Sequence, residues 1–379
     1  MRRLLPLLCG LLLAACGQRA ARPIGDFTLP VYTPRYASGF EITGAAGSRS
    51  TLVTVHNPWY GDEVTDQYLF IARDGEPAPA GFEGQVLRDE TRRVVCMSGS
   101  YIAMLDALGA ADRVVGVSGA QYLINETLRR RIARGEAADV GFDSNVDFER
   151  LMALRPDLVM LFGIGGVDTA LTGKLRELGI PYLYMGEHCE ESPLGKSEWV
   201  VVAAEIAGLR TEGSRLFAAI PERYERLRAL AQQTAARPRV MLNTPYRDTW
   251  FMPARNSYMV RLLEDAGARY VFEENTATQT LPIDIEQAYY LTSKSDFWLN
   301  VSGCNTLDEV RRQNPRLADT PPVREGRVYD NNRRRNAAGG SDFWESGVLR
   351  PDRVLADLVH IFHPELSETD ELYYYRQLE

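Results

Sequence analysis

At 379 residues, with 45% hydrophobic and 25% charged side chains, the chain is long enough for two ordinary α/β domains, each burying its own core. Its formal charge of −8 makes nucleic acid an unsuitable partner. Beyond Cys9 and Cys16 only Cys96, Cys189 and Cys304 remain, an odd number without paired spacing, which indicates neither a disulfide framework nor a zinc knuckle.

Arg2 and Arg3 open the chain, and Leu4 to Ala15 form an apolar run too short to span a bilayer permanently, so residues 1–15 read as a signal peptide. The run ends in LAAC and resembles a bacterial lipobox: Ala14 and Ala15 fit a peptidase pocket, and the Cys16 thiol would take diacylglycerol. An ordinary cleaved signal with an incidental cysteine is the alternative. Removal of that segment, which holds two Arg and no acid, takes the charge from −8 to −10. Residues 16–50, rich in Pro, Gly and Ser, read as a lipid-anchored linker. No second transmembrane run follows.

Thr51 to Trp59 and Gln67 to Arg73 read as strands of an N-terminal hairpin, turning at Gly61 and Asp62. From Arg92 short β-branched runs alternate with helical stretches: RRVVCMS, a helix through Met104, Leu105 and Leu108, RVVGVSG, a basic helix at Leu128 to Ile132, a strand near Ala138 to Phe142, a helix at Phe148 to Leu154, DLVMLF, and IPYLYM. That alternation specifies βαβ units on one parallel sheet, and the hairpin and first lobe occupy 51–195. Strands vanish across 196–236, where Trp199, Val202, Ala203 and Ile206, then Leu216, Ile220, Tyr224, Leu227 and Ala231, fall on one helical stripe. Gly208 and Gly213 are expected to interrupt it, leaving a helix from Glu212 to Ala236 of roughly 35 Å at about 1.5 Å per residue. The alternation restarts over 237–379 with PRVMLN, a helix at Tyr258 to Ala266, RYVFEE, a helix at Asp284 to Leu291, DFWLNVSG, a helix from Leu307 and a strand near Arg327 to Tyr329. A last helix can turn Val348, Leu355, Leu358, Val359 and Phe362 to a core, with Phe343, assigned to that core, near its start. The fold class is therefore α/β: two Rossmann-like lobes, parallel sheets flanked by helices, joined by a single long helix and extended by an N-terminal β-hairpin.

The lobes echo one another. LDALGAADRVVGV matches LLEDAGARYVFEE, and VDFERLMALRPDLVML matches IDIEQAYYLTSKSDFWLN with two extra residues, placing Glu149 opposite Glu286. Each acid opens a helix after Asp147 or Asp284, so each can be a carboxylate favoured by the helix dipole. Taken together, they also present two separated negative points to one partner.

From Arg92 to Leu366 the chain resembles the helical-backbone class of periplasmic binding proteins, which deliver iron-siderophores, haem and cobalamin to ABC importers. The strings that carry the resemblance are RVVCMSGSYIAMLDALGAADRVVGVSG, DFERLMALRPDLVML, SPLGKSEWVVVAAEIAG and FWESGVLRPDRVLADLVHIFHP. It implies a monomeric lipoprotein of the cell envelope, facing periplasm or exterior and touching the membrane through its lipid only. It also implies no intrinsic cofactor, a metal chelate held between the lobes, and Glu149 and Glu286 docking on Arg residues of a permease dimer.

Ligands of open α/β sheets sit beyond the carboxyl ends of parallel strands. The loop candidates are Ser98, Tyr101, Gln121, Tyr122, Phe142 and Asn145 in the first lobe, and Tyr246, Trp250, Arg255, Asn256, Thr278 and Gln279 in the second. Arg333, Arg334 and Arg335 could grip an anionic ligand, and Trp344 could stack on a flat one; a solvated charge run and a helix staple are the plain alternatives. A helical connector also predicts little hinge motion.

Three other readings compete, the plainest being a purely structural lipoprotein adhesin, which would have no small-molecule cleft. Direct zinc or manganese binding needs several His, whereas His56, His188, His360 and His363 are scattered, and only His188 beside Cys189, Glu190 and Glu191 forms a local cluster. An α/β enzyme would draw on GIGG at Gly163 to Gly166, which lacks the spacing of a dinucleotide fingerprint.

Overall fold

The computed structural model describes residues 21–61, 64–163, 166–247, 249–277, 279–367 and 371–379. The stretch expected to be a signal peptide, Cys16, Asp62, the middle of GIGG and Thr278 lie outside them. No helix among the described residues is long and apolar enough to cross a membrane.

The expected hairpin is the centre of a larger sheet. β1 (Leu29–Tyr32), β2 (Phe40–Gly44), β3 (Thr51–His56), β4 (Asp66–Ala72) and β5 (Gln85–Arg88) stand in sequential order. The first four are antiparallel, and β5 joins β4 in parallel. β1 and β2 fall inside the stretch read as a linker, which corrects that reading. Three buried acids far along the chain hold this region. Glu190 accepts from the Ser38 and Gly39 amides and from Trp199 Nε1; Glu198 accepts from Tyr32 Oη and the amides of Arg35, Tyr36 and Ala37. Glu205 accepts from Thr51 Oγ1 and is ion-paired with Arg73 and Arg210. Backbone N–H groups in a turn-rich segment need partners once buried, and here carboxylates supply them.

The first lobe carries β6 (Val94–Cys96), β7 (Val114–Val117), β8 (Ala138–Asp139), β9 (Leu158–Leu161) and β10 (Tyr182–Tyr184) in the order β10-β9-β6-β7-β8, all parallel. Every residue of β6, β7, β9 and β10 is buried, as expected where helices cover both faces of a parallel sheet.

The connector is three helices in series, Pro193–Glu198, Val200–Ile206 and Arg210–Ala231, rather than one rod. Gly208 makes the break at φ +68°, a left-handed conformation that closes a helix end. Gly213 does not interrupt: it lies inside the last helix, where a Cβ would come within 2.3 Å of Ala204 Cβ, so its missing side chain lets two helices touch.

In the second lobe β11 (Arg239–Leu242), β14 (Arg269–Tyr270), β16 (Phe297–Leu299), β17 (Val328–Asp330) and β18 (Arg376–Gln377) form a sheet in the order β14-β11-β16-β17-β18, parallel except for β18. A small antiparallel sheet of β12 (Pro245–Tyr246), β13 (Thr249–Met252) and β15 (Leu281–Ile283), absent from the sequence reading, stands beside it. The helix Pro351–Phe362 packs along Arg210–Ala231, and Phe343 is buried as expected. One apolar cluster runs from Phe40 through Trp199 to Leu378.

The lobes also meet directly. Asn336 Nδ2 donates to the Gln121 and Leu123 carbonyls at 2.9 and 3.1 Å, Glu345 accepts from the Ile124 and Asn125 amides at 2.9 and 2.6 Å, and the helix Ser346–Leu349 rests on Gly99–Ala107. Gly340 leaves no room for a side chain, since a Cβ would stand 1.7 Å from the Tyr122 carbonyl oxygen. A second tie therefore joins the lobes besides the helical connector.

Candidate functional site

A cavity of about 370 Å³ opens between the lobes. One wall is Tyr60, from the connection between β3 and β4, with His188, Cys189, Glu190 and Glu191 just past β10; the other is Ala254, Asn256, Ser257 and Tyr258 with Gln279 and Thr280. Asn256 Nδ2 donates to the Glu191 carboxylate across the gap. Ser257 caps the helix Tyr258–Asp265 by accepting from the Val260 amide, which sets the position of Tyr258 at the cavity.

His188 sits among rings, 4.6 Å from Phe162 and 5.8 Å from Tyr60 between centroids, and Tyr60 Oη donates to the His188 carbonyl at 2.7 Å. Both imidazole nitrogens are shielded from solvent without a hydrogen-bond partner of normal geometry among the described residues, although the Gly163 backbone lies close enough to act on the ring. Burial first, then the Lys196 charge, pushes the imidazole down to about 4, so at neutral pH it is uncharged and keeps a lone pair. Burial raises the Tyr60 phenol and the Cys189 thiol each to about 12; both remain protonated. The buried Lys196 ammonium lies 4.4 Å from the Tyr258 ring centre, and burial lowers its pKa. Neutral, polarisable groups thus face a pocket whose rim is acidic.

Of the sequence candidates, Asn256 and Gln279 line this cavity. Gln121, Tyr122 and Phe142 are exposed on another part of the first lobe, the two rings 6.2 Å apart, and Asn145 braces that loop by accepting from the Phe142 amide. Ser98 caps the helix Gly99–Ala107. Tyr101 is a correction: the third residue of that helix points at the sheet, is fully buried and donates to the Leu161 carbonyl. Trp250 is another, because it lies on β13 rather than in a loop. Pleating turns it inward to stack on Trp298 and donate to the Leu242 carbonyl, while Phe251 faces out.

Arg255 is paired with Glu264. Arg334 pairs with Asp342 at 2.6 Å and lies over the Tyr373 ring, and Arg333 lies 3.5 Å from Glu371. In this structure these guanidinium groups pair with acids of their own lobe, and none of them lines the cavity. Tyr246 and Trp344 are exposed outside the cavity lining.

His188, Tyr60, Ser257 and Tyr258 escaped the ligand reading. The His188–Glu191 string was visible as a cluster, but its weight lay in the shape of the cleft. The other histidines are engaged elsewhere: His56 meets Asp66 at 2.8 Å, His360 meets Ser367, and His363 is buried beside Gly267. Among the described residues no group of three His, Cys, Asp or Glu side chains is placed to hold a metal ion.

Residues 94–333 match the model of the periplasmic binding protein family. The chain belongs to that family. It is thus a substrate-binding, non-enzymatic component of an ABC transporter, with a permease as partner and a small molecule as substrate. It is similar to an uncharacterised lipoprotein of Methanocaldococcus jannaschii, 25% identical over 332 residues that cover 82% of this chain and 77% of that one. Its fold is like that of a periplasmic haem-binding protein from Pseudomonas aeruginosa (TM-score 0.59, 19% identity, 76% of this chain and 98% of that one). A similar likeness holds for an ABC-type Fe3+-hydroxamate transport structure from Saccharomonospora viridis (TM-score 0.54, 17% identity, 72% and 94%).

The tie between the lobes is sensitive to pH. Burial raises the Glu345 carboxyl to about 7 from 4.5, against the pull of the Ile124 and Asn125 amides and with help from Asp342 and Asp106. A carboxyl that holds its proton more tightly when folded stabilises the fold at low pH. That contribution is lost as pH climbs from about 4.5 to about 7, on the order of 3 kcal/mol at the limit. Denaturant unfolding at about pH 5 and about pH 7 should therefore show a fall in stability that Glu345→Gln flattens; an unchanged slope in the variant would refute the assignment.

Proposed function

We propose that this binding protein captures a ferric chelate or a related metal complex, a siderophore, haem or corrinoid, in the cavity between the lobes and carries it to the permease. The observation that carries this reading is a pocket built from both lobes and walled by Tyr60, Tyr258 and an uncharged His188 that packs on Phe162 behind it. Such a lining suits a large, partly apolar ligand with one polar or metal contact. The haem and hydroxamate proteins of like fold support that class. A bare divalent metal is disfavoured because only one His reaches the cleft.

Glu149 and Glu286 are read as the permease contacts. Both are exposed, and the capping of their helices is already done by Asp147 and Asp284, whose side chains accept from the Arg150 and Gln287 amides. Anchoring through a lipidated Cys16 accords with the lipoprotein relatives.

Protein purified from its own host should carry a chromophore, seen as visible absorbance and as a mass increment in native mass spectrometry. With that ligand, Tyr60→Ala combined with Gln279→Ala should weaken binding about tenfold or more, the loss of about 1.4 kcal/mol. A colourless protein that ignores haem, ferric siderophores and corrinoids alike would end the proposal.

A further inference from the structure

The first-lobe sheet ends at β10, whose outward amides would be open to solvent or to a stray strand. Two side chains from the N-terminal sheet cover them. Gln85 Oε1 accepts from the Tyr182 amide at 3.4 Å, and Gln67 Oε1 accepts from the Tyr184 amide at 3.3 Å. With each oxygen committed to the backbone, each amide has its Nε2 left over as a donor, and neither Nε2 has a hydrogen-bond partner among the described residues.

Both glutamines line a cavity of about 230 Å³ at the seam of the two sheets. Trp59 stands edge-on to Tyr184 with ring centres 5.4 Å apart, and Tyr68 is 41% exposed. Glu83 is exposed at the rim, and the Arg176 guanidinium lies 5.8 Å from the Tyr182 ring centre. Asp66 is occupied by His56.

We propose that this groove is a second binding site, for a neutral saccharide. Sugars offer flat C–H faces that rest on indole and phenol rings, and hydroxyls that both donate and accept. Fixed amide donors, a carboxylate acceptor and aromatic surfaces answer each of these. A cavity below the roughly 300–1,000 Å³ of drug-sized sites suits a single ring. Glu83 and Asp66 beside one Arg disfavour phosphate. Trp59, Gln67, Tyr68, Glu83 and Gln85 all precede residues 94–333, the part matched by the family, so the site belongs to what this chain adds.

The test titrates the purified protein with maltotriose, mannotriose and chitotriose, followed by tryptophan emission and calorimetry. One of the three should saturate with a dissociation constant on the order of 1 mM or tighter. Trp59→Ala, and separately the exposed Glu83→Gln, should weaken it about tenfold, while Tyr60→Ala with Gln279→Ala leaves it unchanged. The proposal is overturned by no saturation with any of them up to about 10 mM, by binding that survives both groove variants, or by loss confined to the cleft variant. Glu83→Gln, at a solvated position, keeps the outcome readable if Trp59→Ala folds poorly.

Discussion

Glu149→Arg combined with Glu286→Arg is expected to abolish uptake while leaving ligand affinity within about twofold of the parent. The two acids occupy equivalent second positions of the helices Phe148–Leu154 and Ile285–Ser293, one per lobe. Neither lines the cavity, and neither caps its helix. Glu286 lies 3.0 Å from Arg316, with 74% of its side chain exposed; an exposed pair of this kind contributes at most about 1 kcal/mol, so losing it leaves folding intact. Under the proposed docking, reversing both charges replaces attraction by repulsion at two contacts on a partner of opposite sign. Uptake of labelled ligand in cells and calorimetry on the purified variant separate the effects. Normal uptake would remove these acids from the docking surface, and a large loss of affinity would assign them to the ligand.

Glu198→Ala should cost on the order of 3–5 kcal/mol of folding stability, because four hydrogen-bond donors lose their acceptor at once. Glu198 is fully buried, and its oxygens accept at 2.7 Å from Tyr32 Oη and at 2.8–2.9 Å from three successive amides, Arg35 to Ala37. Alanine leaves those donors in a dry interior without partners, and an unmet buried donor costs about 1–3 kcal/mol. The strand-to-strand segment from Tyr32 to Phe40 should loosen first and become a site of proteolysis. Equilibrium unfolding with limited digestion checks both statements. A loss below about 1 kcal/mol would show that water or a shifted side chain takes over the role.

The two experiments draw on different kinds of information. Glu149 and Glu286 were legible from an internal repeat, because equivalent helices in two copies of one unit present equivalent side chains. Glu198 was not. In sequence it is one acid in a helical stripe, and nothing local says that its partners lie 161 to 166 residues earlier in a stretch whose Pro, Gly and Ser content resembles a linker. The same gap explains Tyr101 and Trp250: both follow plausible loops, but the turn of a helix and the pleat of a strand send them inward.

By itself the sequence determined the alternation of strand and helix in each lobe, the helical stretch between them and the paired acids. Those follow from periodicity, which depends only on near neighbours along the chain. Tertiary structure alone decided that the N-terminal region is a five-stranded sheet and that Gly213, unlike Gly208, stays inside a helix. It also decided that Tyr60, His188, Tyr258 and Gln279 share one cavity. Such choices rest on which buried donors find acceptors and which surfaces close on each other across long separations, and no short-range pattern records that pairing.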